Sequence, residues 1–196
     1  MDNVSKFSEY ILTCRRMMDI AILPPDINEG ESGFSVSGDG IRYGLSAIKS
    51  VGRPVVDAIL EARKKNGVFS SMEDFINRMT NKEVNRRTIE NFIKSGAMDS
   101  LPGTRRQKVA VAPVLLDNKA RERKNAWEGQ MSLFDLVSEE DKKEFQVSFP
   151  DVGEYSEEEL LAFEKDILGV YISGHPLDDY EGLWRKNISA AAADFI

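Results

Sequence analysis

The stretch LSAIKSVGRPVVDAILEAR, Leu45 to Arg63, decides how the rest of the chain is read. Leu45 and Ile48 lie three residues apart, on one face of a helix. Val51 and Gly52 then make a tight turn, where glycine tolerates dihedrals that other residues resist. Pro54 opens a second helix at a position where its missing N–H and fixed φ do no harm. Along that helix Val55, Ile59 and Ala62, with Val56 and Leu60 beside them, recur at helical spacing, and Asn66-Gly67 is a C-terminal stop. The pattern predicts helix, hairpin, helix.

A hairpin that runs into a helix start leaves backbone N–H groups without intrahelical acceptors, the arrangement that receives phosphate at helix N-termini. Lys49 and Arg53 flank the turn, so an anion at Lys49, Ser50, Val51, Gly52 and Arg53 would meet both amide dipoles and side-chain cations. The stretch resembles the helix-hairpin-helix motif, which implies a grip on the DNA backbone that reads no bases. Ser50 stands where that motif usually has its first hairpin glycine, and Val56 where a small residue is usual. Residues 86–116 repeat the plan more loosely: their turn, Gly96 to Gly103, is longer, and Arg105, Arg106 and Lys108 stand beside it. Two such copies would complete a four-helix core and place phosphate contacts on both strands of a duplex. An ordinary helix–turn–helix corner of a core has the same local pattern, and this stretch alone leaves both readings open.

The chain's 196 residues and 41% hydrophobic content allow one domain or two small ones. No run reaches the roughly eighteen apolar residues a membrane span needs, and the N-terminus lacks a signal peptide's apolar core, so a cytoplasmic protein with no membrane partner is expected. The single cysteine, Cys14, excludes an internal disulfide, and the single histidine, His175, excludes a histidine-pair metal site. The net charge is −7, but it is unevenly spread. Residues 42–124 hold 18 Lys and Arg against 9 Asp and Glu, residues 1–41 hold 3 against 7, and residues 125–196 hold 5 against 17. A basic middle between acidic flanks points to a polyanionic partner, or to a solvated basic face with none.

The remaining elements follow from periodicity and capping signals. Val4 to Met18 has the spacing of an amphipathic helix, and Ile20–Leu23 runs into Pro24-Pro25. Phe34–Val36 and Ile41–Tyr43 alternate around Gly38-Asp39-Gly40, a β-hairpin signal. Ser70 with Glu73, Thr104 with Gln107 and Ser156 with Glu159 read as capping boxes, and Asn85 as an N-cap. They predict helices over Ser71–Met79, Arg86–Lys94, Arg105 to about Lys124 and Ser156 to about Ile167. Pro113 should kink or divide the third, whose Val109, Leu115 and Leu116 turn inward. Leu160, Leu161 and Phe163 form the apolar set of the fourth, and Gly169 stops it. Residues 125–155 read as an acidic linker. The fold class is mainly α: a tandem helix-hairpin-helix core, a small β-hairpin near the N-terminus and an extended acidic linker.

Within that linker stands Gln130-Met131-Ser132-Leu133-Phe134. Burying Leu133 and Phe134 in a partner's pocket would be worth roughly 1.5–3 kcal/mol each before ordering costs, and the Gln130 amide can donate and accept at the rim. The segment resembles the peptide with which bacterial replicative polymerases hold their ring-shaped sliding clamp; the alternative is that both side chains fold back onto the helices.

In order along the chain, ILPPDIN (22–28), IRYGLSAIKSVG (41–52), VNRRTIENFIKSGAMDSL (84–101), QMSLF (130–134) and LGVYISGHPLDDY (168–180) resemble the alpha subunits of bacterial DNA polymerase III. The resemblance implies that residues 1–44 end the fingers and residues 45–124 form a tandem helix-hairpin-helix region on duplex DNA. It further implies that residues 125–155 carry the clamp contact at Gln130, Met131, Leu133 and Phe134, and that residues 156–196 lead into an oligonucleotide-binding fold. Other replicase subunits would be partners through the parent protein. Nothing here resembles the family's palm, where Mg2+ would serve nucleotidyl transfer, so the fragment should be non-catalytic, with no cofactor and no metal of its own. Two further readings are an enzyme such as a DNA glycosylase, for which no catalytic Lys or Asp stands out, and a helical protein-interaction scaffold without DNA binding.

Overall fold

The structure, a computed structural model, describes residues 9–11, 13–14, 17–79, 84–127, 148–180, 182 and 186–187. Helical residues between Glu9 and Met17 lead to strand β1 (Ala21–Leu23). The expected hairpin forms between β2 (Ser35–Ser37) and β3 (Gly40–Arg42), turning at Gly38 with φ 58°. β1 adds to its other edge in parallel, Ile22 opposite Ile41, giving the order β1-β3-β2. That third strand is not legible as one, because Ile20–Leu23 reads only as an apolar run before two prolines. Gly40 permits the pairing: a Cβ there would lie 2.8 Å from the Ala21 carbonyl oxygen. The loop after β1 is fixed by Asp26, which accepts from the amides of Asn28 and Glu29 (2.6 and 3.1 Å), while Asn28 exchanges hydrogen bonds with the Phe69 backbone (2.7 and 2.9 Å).

The first helix of the hairpin is shorter than its periodicity suggests. Leu45–Ala47 makes one 3-10 turn and Ile48 is already extended. Gly44 gives that turn no side-chain cap, and three residues are too few to offset helix nucleation. After the hairpin comes α1 (Arg53–Asn66), with Gly52 as N-cap, Pro54 second in its first turn, and Gly67 (φ 77°) at its end. α2 (Met72–Arg78) is capped by Ser71, whose Oγ accepts from Asp74 N at 3.0 Å, while Asp74 reaches back to Ser70 N at 2.9 Å. This is one residue later than the predicted Ser70–Glu73 box. The later register is the one that turns Met72, Phe75 and Ile76 inward.

The remaining caps form where expected. Asn85 accepts from Thr88 N (3.0 Å) at the start of α3 (Arg86–Lys94). Thr104 and Gln107 cap each other (3.0 and 3.2 Å) at the start of α4 (Arg105–Trp127), which Pro113 does not divide. Ser156 and Glu159 do the same for α5 (Glu157–Leu168), and Gly169 closes it in the left-handed region. α3 packs on α4, α2 on α4, and α5 on α3. Phe69, Phe75 and Phe92 form an edge-to-face chain at 5.0 and 6.0 Å through the centre. α4 turns Lys108, Val111, Ala112 and Leu115 inward, with Val109 and Leu116 only half-buried.

The C-terminal helix joins this same core rather than standing apart. Ile167, Leu168, Val170 and Ile172 belong to the buried cluster, and the Tyr43 hydroxyl donates to the Leu168 carbonyl at 2.8 Å. Buried Glu164 accepts from the amides of Ile172 and Ser173 (2.8 and 3.0 Å), which folds the chain back after α5.

Candidate nucleic-acid interface

At the first corner Ser50 adopts φ 62°, the left-handed region that favours glycine. The position therefore has the backbone a glycine would supply, although the sequence puts serine there. Such a conformation costs a non-glycine residue roughly 1–2 kcal/mol, and neighbours on both sides hold it. Asn91 of α3 donates to the Lys49 carbonyl (2.6 Å), and Lys49 N donates to the Ile167 carbonyl at the end of α5 (3.1 Å). Val51 is turned into the core, with its amide on the Ile48 carbonyl (3.1 Å).

Ser50, Gly52 and Arg53 are exposed. Among the described residues their three amides meet no protein acceptor. The Arg53 guanidinium makes no hydrogen bond or ion pair among the described residues. Lys49 is half-exposed and pairs with Asp166 at 2.6 Å. That hydrogen-bonded ammonium holds the Asp166 carboxyl below its usual range, with smaller pulls from Lys94 and Arg87.

The second corner is arranged differently. Gly96 (φ 83°) and Gly103 (φ 91°) bracket the turn. Arg105 folds back over it, its guanidinium forked onto Asp99 (Nε–Oδ1 3.0 Å, Nη2–Oδ2 2.6 Å) and on the Lys94 carbonyl at 3.3 Å, leaving the side chain 11% exposed. Lys108 is 1% exposed and donates to the Met98 carbonyl at 2.8 Å, and burial pushes its pKa down. Both were expected to face phosphate; instead they hold the turn from within. Only Arg106 of this set keeps an exposed head, 5.8 Å from the Tyr155 ring.

The free amides at the start of α4 are also taken. Glu154 accepts from Arg105 N and Arg106 N (2.8 and 3.1 Å) and from Tyr155 N (2.8 Å). Partial desolvation raises its pKa, but the three amides prevail and hold it below the carboxylate range. Gln107 donates to the Pro150 carbonyl (3.0 Å), and Phe149 lies on Gly103, where a Cβ would come within 2.7 Å of its ring. So residues 149–155, read from sequence as the end of a linker, strap the second hairpin.

The two turns by themselves do not point to Arg86, Arg87 and Asn91. With Lys49, Glu90 and Asp166 they line a groove of about 480 Å³ at the foot of α3. The signal was available: Arg86 and Arg87 open a helix whose inward positions are Ile89, Phe92 and Ile93, which leaves both arginines outside. Gln130, Met131, Leu133 and Phe134 lie outside the described residues. Among the described residues no group of His, Cys, Asp and Glu is arranged to hold a metal ion, and no helix is long and apolar enough to cross a membrane.

A family model described as a helix-hairpin-helix motif matches residues 19–108, a span that includes both corners. The DNA polymerase III subunit alpha of Borreliella burgdorferi is 41% identical over 181 residues, which is 92% of this chain and 16% of that protein. That of Deinococcus radiodurans is 42% identical over 189 residues, 96% of this chain and 14% of that protein. That of Chlamydia trachomatis is 38% identical over 195 residues, 99% of this chain and 16% of that protein. The chain therefore spans between 14% and 16% of the length of these relatives.

Proposed function

Starting from a chain that is homologous along nearly all its length to one segment of the DNA polymerase III alpha subunits, we propose that it grips the backbone of duplex DNA without reading sequence and docks on the sliding clamp. The observation that carries the DNA reading is the first corner. The amides of three exposed residues, Ser50, Gly52 and Arg53, have no protein acceptor among the described residues, and the cationic residues Lys49 and Arg53 flank the turn. Amides and cations together suit a phosphate, and a contact of that kind carries no base information. Arg106 is the one residue of the second corner with a free head to offer.

In this reading residues 1–44 end a fingers domain, 45–124 hold DNA, 125–155 carry the clamp peptide and 156–196 lead into an oligonucleotide-binding fold. The fragment itself is non-catalytic. Nucleotidyl transfer with Mg2+ belongs to a palm elsewhere in a cytoplasmic replicase, whose other subunits it meets through the parent protein. Support for the clamp contact at Gln130, Met131, Leu133 and Phe134 is the sequence pattern alone.

One set of titrations tests both contacts. Fluorescence anisotropy of a labelled duplex should give binding whose log–log salt slope loses roughly 0.9 for each phosphate contact removed, as in Lys49→Ala or Arg53→Ala. Leu133→Ala with Phe134→Ala should abolish clamp binding and leave DNA affinity unchanged. Salt-insensitive DNA binding, or clamp binding that survives, overturns the respective assignment. A protein-interaction scaffold is the second reading, favoured by the carboxylates of Glu154 and Asp166 already seated at the two corners; failure to retard any duplex at low salt would promote it.

A further inference from the structure

We infer that the groove walled by Lys49, Arg86, Arg87 and Asn91 takes a second backbone phosphate of the same duplex, and that Asp166 is the resident carboxylate that phosphate displaces. The inference rests on the DNA reading above and moves the second contact away from the second hairpin. That hairpin is closed on itself: its first-turn amides hold Glu154, Arg105 is forked onto Asp99, and Lys108 is buried on the Met98 carbonyl. A duplex held at the first corner finds the groove next to it, because Lys49 belongs to both. The Asn91 amide on the Lys49 carbonyl fixes the two walls relative to each other.

The groove's own charges can be exchanged for a ligand's. Arg87 is exposed and donates no hydrogen bond among the described residues. Arg86 is 67% exposed and turned to Glu90 at 2.8 Å, which leaves Asp166 as the carboxylate facing the remaining cations. Asp166 and Lys49 are 70% and 52% exposed, and ion pairs in such surroundings are weak and screened by salt. Asp166 also stands in the last turn of α5, where a negative charge opposes the helix dipole. Entry of a phosphate would therefore release the Lys49 ammonium from the Asp166 carboxylate, while the Lys49 amide stays on the Ile167 carbonyl.

The test is salt-dependent anisotropy of a labelled duplex with the 196-residue chain and exposed-residue variants. Arg87→Ala should reduce the log–log salt slope, and Arg86→Ala with Arg87→Ala should bring the loss to roughly 0.9, the share of one phosphate. Asp166→Asn, which removes the internal competitor, should tighten binding several-fold at low salt. Lys64→Ala is the control, since that residue lies at the far end of α1 from the corner, and it should change nothing. If Arg53→Ala weakens binding while the Arg86 and Arg87 variants keep the parent slope, or if Asp166→Asn binds less tightly, the groove is not a phosphate site although the DNA reading stands. If the parent chain binds no duplex, both fall together.

Discussion

Glu154→Gln probes the strap that closes the second hairpin. The carboxylate accepts three backbone N–H groups, Oε2 from Arg105 at 2.8 Å and Oε1 from Arg106 and Tyr155 at 3.1 and 2.8 Å. Glutamine keeps one acceptor oxygen, so at least one amide loses its partner, and the negative charge at the positive end of α4 disappears. Hydrogen bonds to charged groups contribute about 1.5–3 kcal/mol when sheltered, and a charge at a helix start about 0.3–1 kcal/mol. Residue 154 is exposed, so water replaces part of what is lost, and about 1–2 kcal/mol remains after that discount.

For a chain of this size that corresponds to a fall in Tm of about 2–8 °C at neutral pH. The folded carboxyl titrates below its ordinary value of 4.5. Its contribution is therefore complete above the unfolded pKa and is lost as pH falls through the lower folded one. Thermal melts by circular dichroism should show the gap at neutral pH, with parent and variant converging as pH falls through the lowered titration of the folded carboxyl. Amide exchange at Arg105, Arg106 and Tyr155 should quicken in the variant. Equal melting at neutral pH, or a gap that persists undiminished in acid, would refute the reasoning.

Two other perturbations follow from the same geometry. Ser50→Gly relieves a left-handed serine but loosens the unfolded chain, for a net gain of about 0.5–1 kcal/mol in urea unfolding; a less stable variant would show that the serine is not strained. Burial pushes the Tyr43 phenol to about 12 from its ordinary 10.0, and its hydroxyl donates to the Leu168 carbonyl. Because the folded pKa is the higher one, that stabilisation is intact below pH 10.0 and is lost as pH rises toward 12. Tyr43→Phe should be less stable at neutral pH and should lack this alkaline decline.

Local signals carried most of the helix boundaries. Asn85, Thr104 with Gln107, and Ser156 with Glu159 cap the helices they were expected to cap, because a cap is a contract between residues three apart. The same rule misplaced the α2 box by one residue, since Ser70–Glu73 and Ser71–Asp74 are equally spaced and only burial of Met72, Phe75 and Ile76 chooses between them. The first hairpin helix was overestimated, because two apolar residues at a spacing of three do not nucleate a helix.

What the amino-acid order determined by itself is the order of the five α-helices and the β-hairpin, the corner at Lys49–Arg53, and the excess of cations over residues 42–124. What it left open is which of those cations are available. Arg105, Lys108, Arg63 and Arg78 reach carbonyls and carboxylates of their own fold, and Glu154 closes a helix start 49 residues behind it. Arg53 and Arg87 stay outside. A side chain's charge is written in its residue type, but its counter-ion is chosen by whichever group the folded chain brings within about 3 Å, and that distance exists only in three dimensions.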